Sequence, residues 1–506
     1  MTPPIAFSDV FRTGRRAGIL GATLALLASP ALADPDGAEI YMDLCASCHA
    51  ESRLGGTGPA LIPETIGRLR GNALGETITN GRVATQMPAF RDTLSAAEID
   101  AVASYVKSAL PDIPRWTADE IEATRALSPD YTPVAAPVFS ADPMNITLVV
   151  ETGDHHVSVL DGDTFEVLDR FATPFAVHGG PKFSPDGHYV FVMSRDGWVQ
   201  KYDIWALQEV GRVRAGVNSR NIAMSSDGKW LAVANYLPHT LTLLSTKDLS
   251  VAEVLPIDTV SGGSSRVSAV YQAPQRASFI LALKDSPEIW EVFTKPEALF
   301  EHRRIDVSAP LDDFFFTPDY AHLIGANRGA ETGVVVSLDA GREIADLPLP
   351  GMPHLGSGIS FMSGGKRVMA TPHLSEGVLS VIDMDSWTIT REIKTAGPGF
   401  FLRSHENTPY LWADVFFGPN KDKMHIIDKE SLEIVKTLDP APGKTVAHIE
   451  FTRDGKYALV SIWEDDGAVI VYDAETLEEV RRLPMKKPSG KYNVWNKITF
   501  SDGTSH

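Results

Sequence analysis

Cysteine is almost absent from this chain, which has only two in 506 residues. Long apolar runs are equally scarce, because after the first 33 residues no stretch approaches the roughly 20 apolar residues that a membrane-spanning helix requires. Positive charge is also limited: 46 lysines and arginines face 65 acidic residues, which leaves a formal net charge of −19. Without a basic stripe to neutralise phosphates, the sequence argues against nucleic-acid binding.

The first 33 residues have the features of an export signal. Three arginines precede an apolar run over residues 17–28, and the small-x-small sequence Ala31-Leu32-Ala33 follows. The run is too short for a stable transmembrane helix. We therefore expect residues 1–33 to be a signal peptide for the general secretory route, and the mature protein to be soluble and periplasmic.

Both cysteines lie in the run Cys45-Ala46-Ser47-Cys48-His49. This C-x-x-C-H spacing is typical of a covalent c-type haem, in which two thiols bond to the haem vinyl groups and His49 takes the fifth position on the iron. A zinc site is disfavoured because it needs two further cysteine or histidine ligands at suitable spacing. With both thiols bonded to haem, no cysteine remains for a structural disulfide. The motif predicts a redox protein without indicating what is oxidised.

Residues 34–112 are expected to form a small all-α domain, with a haem-bearing helix over 38–49. A capping box at 95–98 precedes apolar residues on one helical face. Met87 lies in the loop before it, and its thioether is a soft ligand suited to the sixth position of the iron. A haem held by His49 and Met87 has no open position and is suited to electron transfer. The segment resembles a class I cytochrome c domain over its whole length.

A repeat of 42 to 48 residues fills most of the remaining chain. Each copy is a strand that ends in a polar residue, followed by a short turn and a second strand. The eight copies are marked by Asp161, Asp203, Thr246, Thr294, Asp339, Asp383, Asp428 and Asp473. Hairpin turns recur in the same phase, at 184–187, 226–228, 317–319 and 453–455. The period predicts an all-β eight-bladed propeller over 141–506, joined to the first domain by an irregular, proline-rich linker over 113–140.

Motifs in the propeller resemble the cytochrome cd1 family, in which a propeller behind a cytochrome c domain holds haem d1. The segment around His178 is similar to the one that carries the proximal haem d1 ligand. The M-P-H-L-G-S-G run that contains His354 resembles the loop with a distal-pocket histidine, and the G-K-Y-N-V run that contains Tyr492 also matches. The resemblance covers nearly the whole mature chain and implies non-covalent binding of haem d1 or its dihydro precursor.

The sequence departs from the nitrite reductases of that family. Its stretch 309–316 lacks the first of the two distal histidines that protonate bound nitrite. Glu151 and Ser357 stand where the reductases have arginines for the haem d1 carboxylates, whereas Arg195 and Arg220 persist as candidates to bind them. The pocket therefore has less positive charge and one proton donor fewer than a nitrite reductase.

The dihydro-haem d1 dehydrogenase branch of the family fits better, because it places a second axial ligand where His448 stands. Ligation by His178 and His448 would block the iron and favour chemistry at the edge of the macrocycle. The resemblance implies oxidation of a propionate to an acrylate, with electrons leaving through the c-type haem to a soluble periplasmic acceptor. His354 is expected to take or relay a proton. Tyr492 is expected to orient the substrate or exchange a proton, since a free phenol with a pKa of about 10 is a poor base.

Two other functions stay open at this point. The protein could be a cytochrome cd1 nitrite reductase that forms nitric oxide, or a carrier that delivers haem d1 to that reductase without chemistry. A transient contact with the reductase is expected in either the dehydrogenase or the carrier. Structural roles also stay open, because His448 could simply pack inside its strand, and Arg195 or Arg220 could form an ion pair between blades.

Overall fold

The computed structural model describes residues 34–505 apart from 57, 68, 70, 83–86, 178–179 and 328–331. The expected signal peptide at 1–33 and the expected ligand His178 therefore lie outside the described residues. Within the described part, an N-terminal helical domain is followed by eight antiparallel sheets. None of the described helices is long and apolar enough to cross a membrane.

The described α-helices are α1 (Gly37–Leu44), α2 (Ala46–His49), α3 (Pro63–Ile66), α4 (Ala73–Asn80), α5 (Ala96–Lys107), α6 (Ala118–Thr124) and α7 (Val494–Thr499). Short 3₁₀ helices lie at Pro143–Asn145, Pro274–Arg276, Pro296–Ala298 and Leu355–Ser357. Helices α1 to α5 form the first domain, whose core includes the buried Tyr41, Val102 and Val106. The capping box at the start of α5 is confirmed, because Ser95 and Glu98 bond each other's backbone N–H groups.

The helix expected over 38–49 is instead two helices. Cys45 forms a turn between them, with φ −113° and ψ −34°, so α1 ends at Leu44 and α2 begins at Ala46. The hydroxyl of Tyr41 donates to the carbonyl of Ala50 at 2.6 Å and fixes this corner. The break leaves Cys48 exposed while it buries His49.

The strands before the fifth blade are β1 (Ala126–Leu127), β2 (Thr147–Glu151), β3 (His156–Leu160), β4 (Val167–Ala172), β5 (Lys182–Phe183), β6 (Tyr189–Met193), β7 (Trp198–Asp203), β8 (Gln208–Arg214), β9 (Asn218–Met224), β10 (Trp230–Leu237), β11 (Thr240–Ser245), β12 (Val251–Pro256), β13 (Val267–Ala273), β14 (Ser278–Leu283), β15 (Glu288–Phe293) and β16 (His302–Asp306). The remaining strands are β17 (Asp313–Phe316), β18 (His322–Asn327), β19 (Thr332–Ser337), β20 (Arg342–Leu347), β21 (Ile359–Ser363), β22 (Lys366–Pro372), β23 (Val378–Asp383), β24 (Thr388–Lys394), β25 (Leu402–Arg403), β26 (Tyr410–Asp414), β27 (Met424–Asp428), β28 (Ile434–Leu438), β29 (Val446–Phe451), β30 (Tyr457–Ile462), β31 (Gly467–Asp473), β32 (Glu479–Met485) and β33 (Pro488–Asn493).

These strands form the predicted eight-bladed propeller. Seven blades take four consecutive strands each, from β5–β8 to β29–β32, and the remaining blade joins β33 to β2, β3 and β4. Pairing of β33 with β2, with Tyr492 opposite Leu148, closes the ring. The eight repeat markers fall at the turns between the third and fourth strands, and the four hairpin turns lie between the first and second strands. First strands of neighbouring blades, such as β9 and β13, pack on each other around the central channel.

The segment 113–140, predicted to be irregular, contains α6 and β1. Thr117 and Glu120 form a capping box that starts α6, and Ile121 is fully buried against the blade formed by β5–β8 and its neighbour. Strand β1 then pairs with β8 as a fifth strand of that blade. The first domain is therefore connected through a segment that is itself part of the propeller surface.

The C-terminal segment bonds to three blades near the centre of the propeller. The side-chain amide of Asn496, in α7, donates to the carbonyl of Phe451 at 2.9 Å. Gly503 donates to the carbonyl of Ser360 at 3.1 Å and accepts from the N–H of Ser404 at 3.0 Å. Residues 494–505 therefore tie together the first strands of three blades.

Candidate functional site

His49 is held in the position that a haem ligand requires. Its side chain is 7% exposed, and its Nδ1 donates to the carbonyl of Pro59 at 2.7 Å. Because Nδ1 is used in this bond, Nε2 is the nitrogen left for the iron. Burial lowers the pKa of His49, which favours the neutral imidazole that binds metals.

A small residue next to this imidazole is required by the packing. A Cβ at Gly58 would lie 2.6 Å from Cε1 of His49. We therefore expect Gly58→Ala to displace the ring and weaken its bond to Pro59, at a cost of about 1–3 kcal/mol in the free energy of unfolding. Thermal melting and the yield of covalently haem-loaded protein measure the effect. Gly263→Ala is the control, because its Cβ would meet only Thr259 Oγ1 at 3.8 Å; equal melting and loading in both variants would contradict the prediction.

The other residues predicted to hold the c-type haem lie in the same domain as His49. Cys48 is exposed and Cys45 is partly buried at the α1–α2 corner, and burial raises the pKa of the Cys45 thiol to about 11. Met87 is partly buried, and its carbonyl accepts from the N–H of Arg82 at 3.1 Å. Gly81 has φ +68° and leaves no room for a Cβ beside Met87, so the loop turns at this glycine. Two thiols, one oriented imidazole and one thioether fit a c-type haem.

The cytochrome loops rest directly on the propeller. Arg214, on β8, is 3% exposed and donates to the carbonyl of Leu54 at 2.7 Å. The guanidinium of Arg82, in the Met87 loop, stacks over the ring of Phe175 at 4.7 Å. Phe175 lies three residues before His178, so the loops that carry one predicted ligand of each haem are in contact.

The segment before His178 is tied to both predicted carboxylate-binding arginines. Val177 forms a β-bridge with Ser194, and the N–H of Arg195 donates to the carbonyl of Ala176 at 2.9 Å. The carbonyl of Arg195 in turn accepts from Ser219, the neighbour of Arg220, at 2.9 Å. Arg195, Arg220 and the His178 segment therefore lie together on two adjacent blades.

His354 is oriented by contacts from two other blades. Its Nδ1 lies 3.0 Å from the carbonyl of Phe400. A carbonyl only accepts, so Nδ1 carries the hydrogen and Nε2 is the basic nitrogen of the neutral ring. Nε2 lies 3.7 Å from Oδ2 of Asp313, a 4% exposed carboxylate that also accepts from the N–H of Gly356 at 3.2 Å. Asp313 lies in the stretch that lacks the distal histidine of nitrite reductases.

His448 occupies a bulge rather than a regular strand position. The register of β29 shifts between Ala447 and Ile449, and His448 has φ +49°, a conformation that is costly for a residue with a Cβ. Its N–H donates to Oδ2 of Asp414 at 3.2 Å, and its carbonyl accepts from Nζ of Lys491 at 2.9 Å. Burial, together with the charges of Lys491 and Arg403, holds the pKa of His448 far below its usual range. The neutral imidazole is the form that binds iron, and the bulge sets the direction of its side chain.

Tyr492 fills space left by two glycines. Its ring lies against Gly180 and Gly490, and a Cβ at either position would overlap it. Burial raises the pKa of Tyr492 to about 12, which favours the neutral phenol. The neutral form suits an orienting role better than that of a base.

An aromatic wall joins these residues. Ring centroids are 4.4 Å apart for His354 and Phe400, 4.6 Å for Phe400 and Phe401, 4.7 Å for Phe401 and His448, and 5.4 Å for His448 and Tyr492. The buried carboxylate of Asp414 fixes the wall, because its Oδ1 accepts from the N–H groups of Phe400 and Phe401 at 2.8 and 3.0 Å. Burial raises the pKa of Asp414 to about 6. The sequence pointed to His354, His448 and Tyr492 but not to the aspartates that position them.

The fold and this site define a two-domain haem protein, with a cytochrome c domain on an eight-bladed tetrapyrrole-binding propeller. Residues 141–497 match the cytochrome D1 heme domain model, and the chain belongs to that family. Residues 33–106 match the model of cytochrome C oxidase, cbb3-type, subunit III.

Similar proteins extend the match to the full length. The dihydro-heme d1 dehydrogenase of Pseudomonas aeruginosa is 50% identical over 96% of this chain and 100% of its own. A nitrite reductase of Stutzerimonas stutzeri is 24% identical over 95% of this chain and 96% of its own. The solved structure "Dihydro-heme d1 dehydrogenase NirN in complex with DHE" superposes with a TM-score of 0.89 and 52% identity, over 91% of this chain and 99% of that one.

Proposed function

We propose that this protein is a dihydro-haem d1 dehydrogenase, which oxidises one propionate side chain of dihydro-haem d1 to an acrylate. The observation that carries the proposal is the aromatic wall, which brings His354, His448 and Tyr492 to one part of the channel. A full-length relative with that name, at twice the identity of the nitrite reductase, supports it.

The reaction forms a carbon–carbon double bond, so one C–H bond breaks on each of two neighbouring side-chain carbons. Two protons and two electrons leave. Cys45, Cys48, His49 and Met87 would hold the c-type haem, which would supply one-electron transfer from the substrate to a soluble periplasmic acceptor.

The chain's own residues handle binding and the protons. His178 and His448 would hold the substrate iron from its two faces, which leaves the macrocycle edge as the place of reaction. The basic Nε2 of His354 takes one of the two protons from the side chain, and the carboxylate of Asp313 stabilises the charged imidazole that results. The second proton leaves to solvent. The neutral phenol of Tyr492 donates to the substrate and orients it, and Arg195 and Arg220 bind substrate carboxylates.

Location and partners follow from the same chemistry. A c-type haem is attached after export, and residues 1–33 have the pattern of an export signal, which supports a periplasmic reaction. Haem d1 is the product, and a cytochrome cd1 nitrite reductase is the class of enzyme that uses it. We expect a transient contact between the two proteins for delivery.

Asp313→Asn tests the proton step. We expect kcat to fall about tenfold or more, because the imidazolium of His354 loses its counter-charge. The acidic limb of the pH–rate profile should move to lower pH, since a lone imidazole releases its proton more readily. Asp312→Asn is the control, because that neighbouring carboxylate pairs with Lys284 instead. An unchanged profile in Asp313→Asn would remove this residue from the mechanism.

The nitrite reductase alternative is tested separately. Protein loaded with haem d1 and reduced should produce little nitric oxide from nitrite, measured with an electrode, while the same preparation oxidises dihydro-haem d1. Rapid nitrite turnover that depends on His354 would favour the reductase.

A further inference from the structure

Two side-chain nitrogens of a buried arginine have no hydrogen-bond partner in the part of the chain that the structure describes. Arg403, at the end of β25, is 3% exposed. Its Nε and Nη1 atoms are buried and bond no other group among the described residues. Buried guanidinium groups almost always pair with carboxylates or carbonyls, because an unpaired buried charge is costly. The missing partner points to a ligand.

Arg403 is one of three clustered cations. Lys182 begins β5 and Lys497 lies in α7, and we call these three residues the basic cluster. Repulsion from Arg403 adds to burial in lowering the pKa of Lys182 to about 8, and the same two causes hold the pKa of Lys497 well below its usual range. Nζ of Lys497 donates to the carbonyl of Ser505 at 2.6 Å.

One carboxylate faces this cluster. Glu450 is 1% exposed and is the acidic side chain that acts on Arg403 and on Lys497. Its Oε1 accepts from the side-chain amide of Asn496 at 3.1 Å, and its Oε2 bonds no group among the described residues. Lys491 and Asp414 extend this network of charges. The guanidinium of Arg403 stays charged when buried, so it favours an anion beside its unbonded nitrogens.

Arg403 lies next to the predicted substrate site, and the two lysines of the cluster line a cavity. Arg403 is two residues after Phe401, whose ring packs on His448, and its charge acts on the phenol of Tyr492. Lys182 and Lys497 line a cavity of about 40 Å³ beside α7. Since a water needs about 10–15 Å³ by this measure, the space suits a group of roughly three heavy atoms, such as a carboxylate.

We propose that the basic cluster binds a side-chain carboxylate of the tetrapyrrole, with Arg403 donating its unpartnered N–H groups to it. The inference rests on the proposed function in taking dihydro-haem d1 and haem d1 as the ligands. It also accounts for Glu151 and Ser357, which stand where nitrite reductases have arginines. Here the positive charge comes instead from strands β5 and β25 and from α7. The cluster thereby selects a tetrapyrrole with a free acid directed toward the α7 end of the channel.

The test is a binding cycle with full-length, haem-c-loaded protein. The probes are haem d1 and haem d1 whose carboxylates are converted to methyl esters, and dissociation constants come from absorbance titration. Arg403→Gln should weaken binding of the free acid about 10- to 100-fold. The ester should bind wild type and Arg403→Gln with similar affinity, and Arg403→Lys should recover part of the loss. Arg391→Gln, an exposed arginine on β24, is the control and should bind both probes like wild type.

The cycle separates this inference from the proposed function because it needs no turnover. If Arg403→Gln, folded by circular dichroism, loses as much affinity on esterification as wild type does, the inference is wrong even when conversion is normal. Esterification could weaken binding to wild type but not to Arg403→Gln in a protein that converts no dihydro-haem d1. The carboxylate site would then stand, and the dehydrogenase proposal would fail. Should Arg403→Gln unfold, the Arg403→Lys variant provides the same comparison.

Discussion

Replacing His354 with alanine is expected to reduce the conversion of dihydro-haem d1 by about 10²- to 10⁴-fold, the usual contribution of a positioned general base. The reason is the fixed orientation of the ring. Its Nδ1 is bonded to the carbonyl of Phe400, so the basic Nε2 faces Asp313 and the channel. Single-turnover conversion, followed by extraction of the tetrapyrrole, measures the loss.

The substrate should still bind to this variant, because the proposed iron ligands and the basic cluster are intact. His354→Gln keeps much of the side-chain volume and should be as inactive as the alanine variant. His302→Ala is the matched control. That histidine is exposed and stacks on Trp290 of its own blade, which does not carry His354. Full conversion by His354→Ala would assign the proton to another group.

Replacing Met87 with alanine is expected to lower the reduction potential of the c-type haem by on the order of 0.1 V, within the ~0.8 V range that axial ligands span. A thioether ligand raises the potential, and the Met87 loop is anchored on the propeller through Arg82 and Phe175. For a one-electron couple, ~0.1 V corresponds to about 50-fold in the equilibrium. Electrons leaving the channel should therefore transfer less completely, and steady-state turnover should fall.

Potentiometric titration and steady-state rates with a soluble oxidant measure these two effects. Met42→Ala is the control, because Met42 lies in the same domain with 44% of its side chain exposed and before the attachment site. Met87→Ala should keep its covalent haem and bind haem d1 with wild-type affinity. A normal potential in Met87→Ala would show that another group is the sixth ligand.

The propeller could be predicted from sequence because its turns are local. Each blade repeats the same polar turn between its third and fourth strands, so Asp161 and Asp473 mark equivalent positions although they lie more than 300 residues apart. Helix α6 was missed for a different reason. The capping box of Thr117 and Glu120 is present in the sequence, but the surrounding prolines favoured an irregular linker, and the buried contact of Ile121 depends on a distant blade.

The site was only partly predictable, because its geometry depends on long-range contacts. Asp313 meets His354 across 41 positions of the chain, and Asp414 meets the N–H of His448 across 34. Neither aspartate lies in a motif. The bulge at His448 is also invisible to sequence, since strand alternation alone is compatible with a buried packing residue. The sequence around Arg403 predicts only an ordinary strand residue. Its burial, and its two nitrogens without partners among the described residues, depend on the folded structure.

Incubation of the haem-c-loaded protein with dihydro-haem d1 under anaerobic conditions tests the central claim most directly. The extracted tetrapyrrole should have lost two hydrogen atoms, with an acrylate in place of a propionate. With a soluble one-electron oxidant present, two equivalents of that oxidant should be reduced for each molecule converted. Recovery of unchanged dihydro-haem d1 from protein that binds it, with the c-type haem still oxidised, would contradict the account.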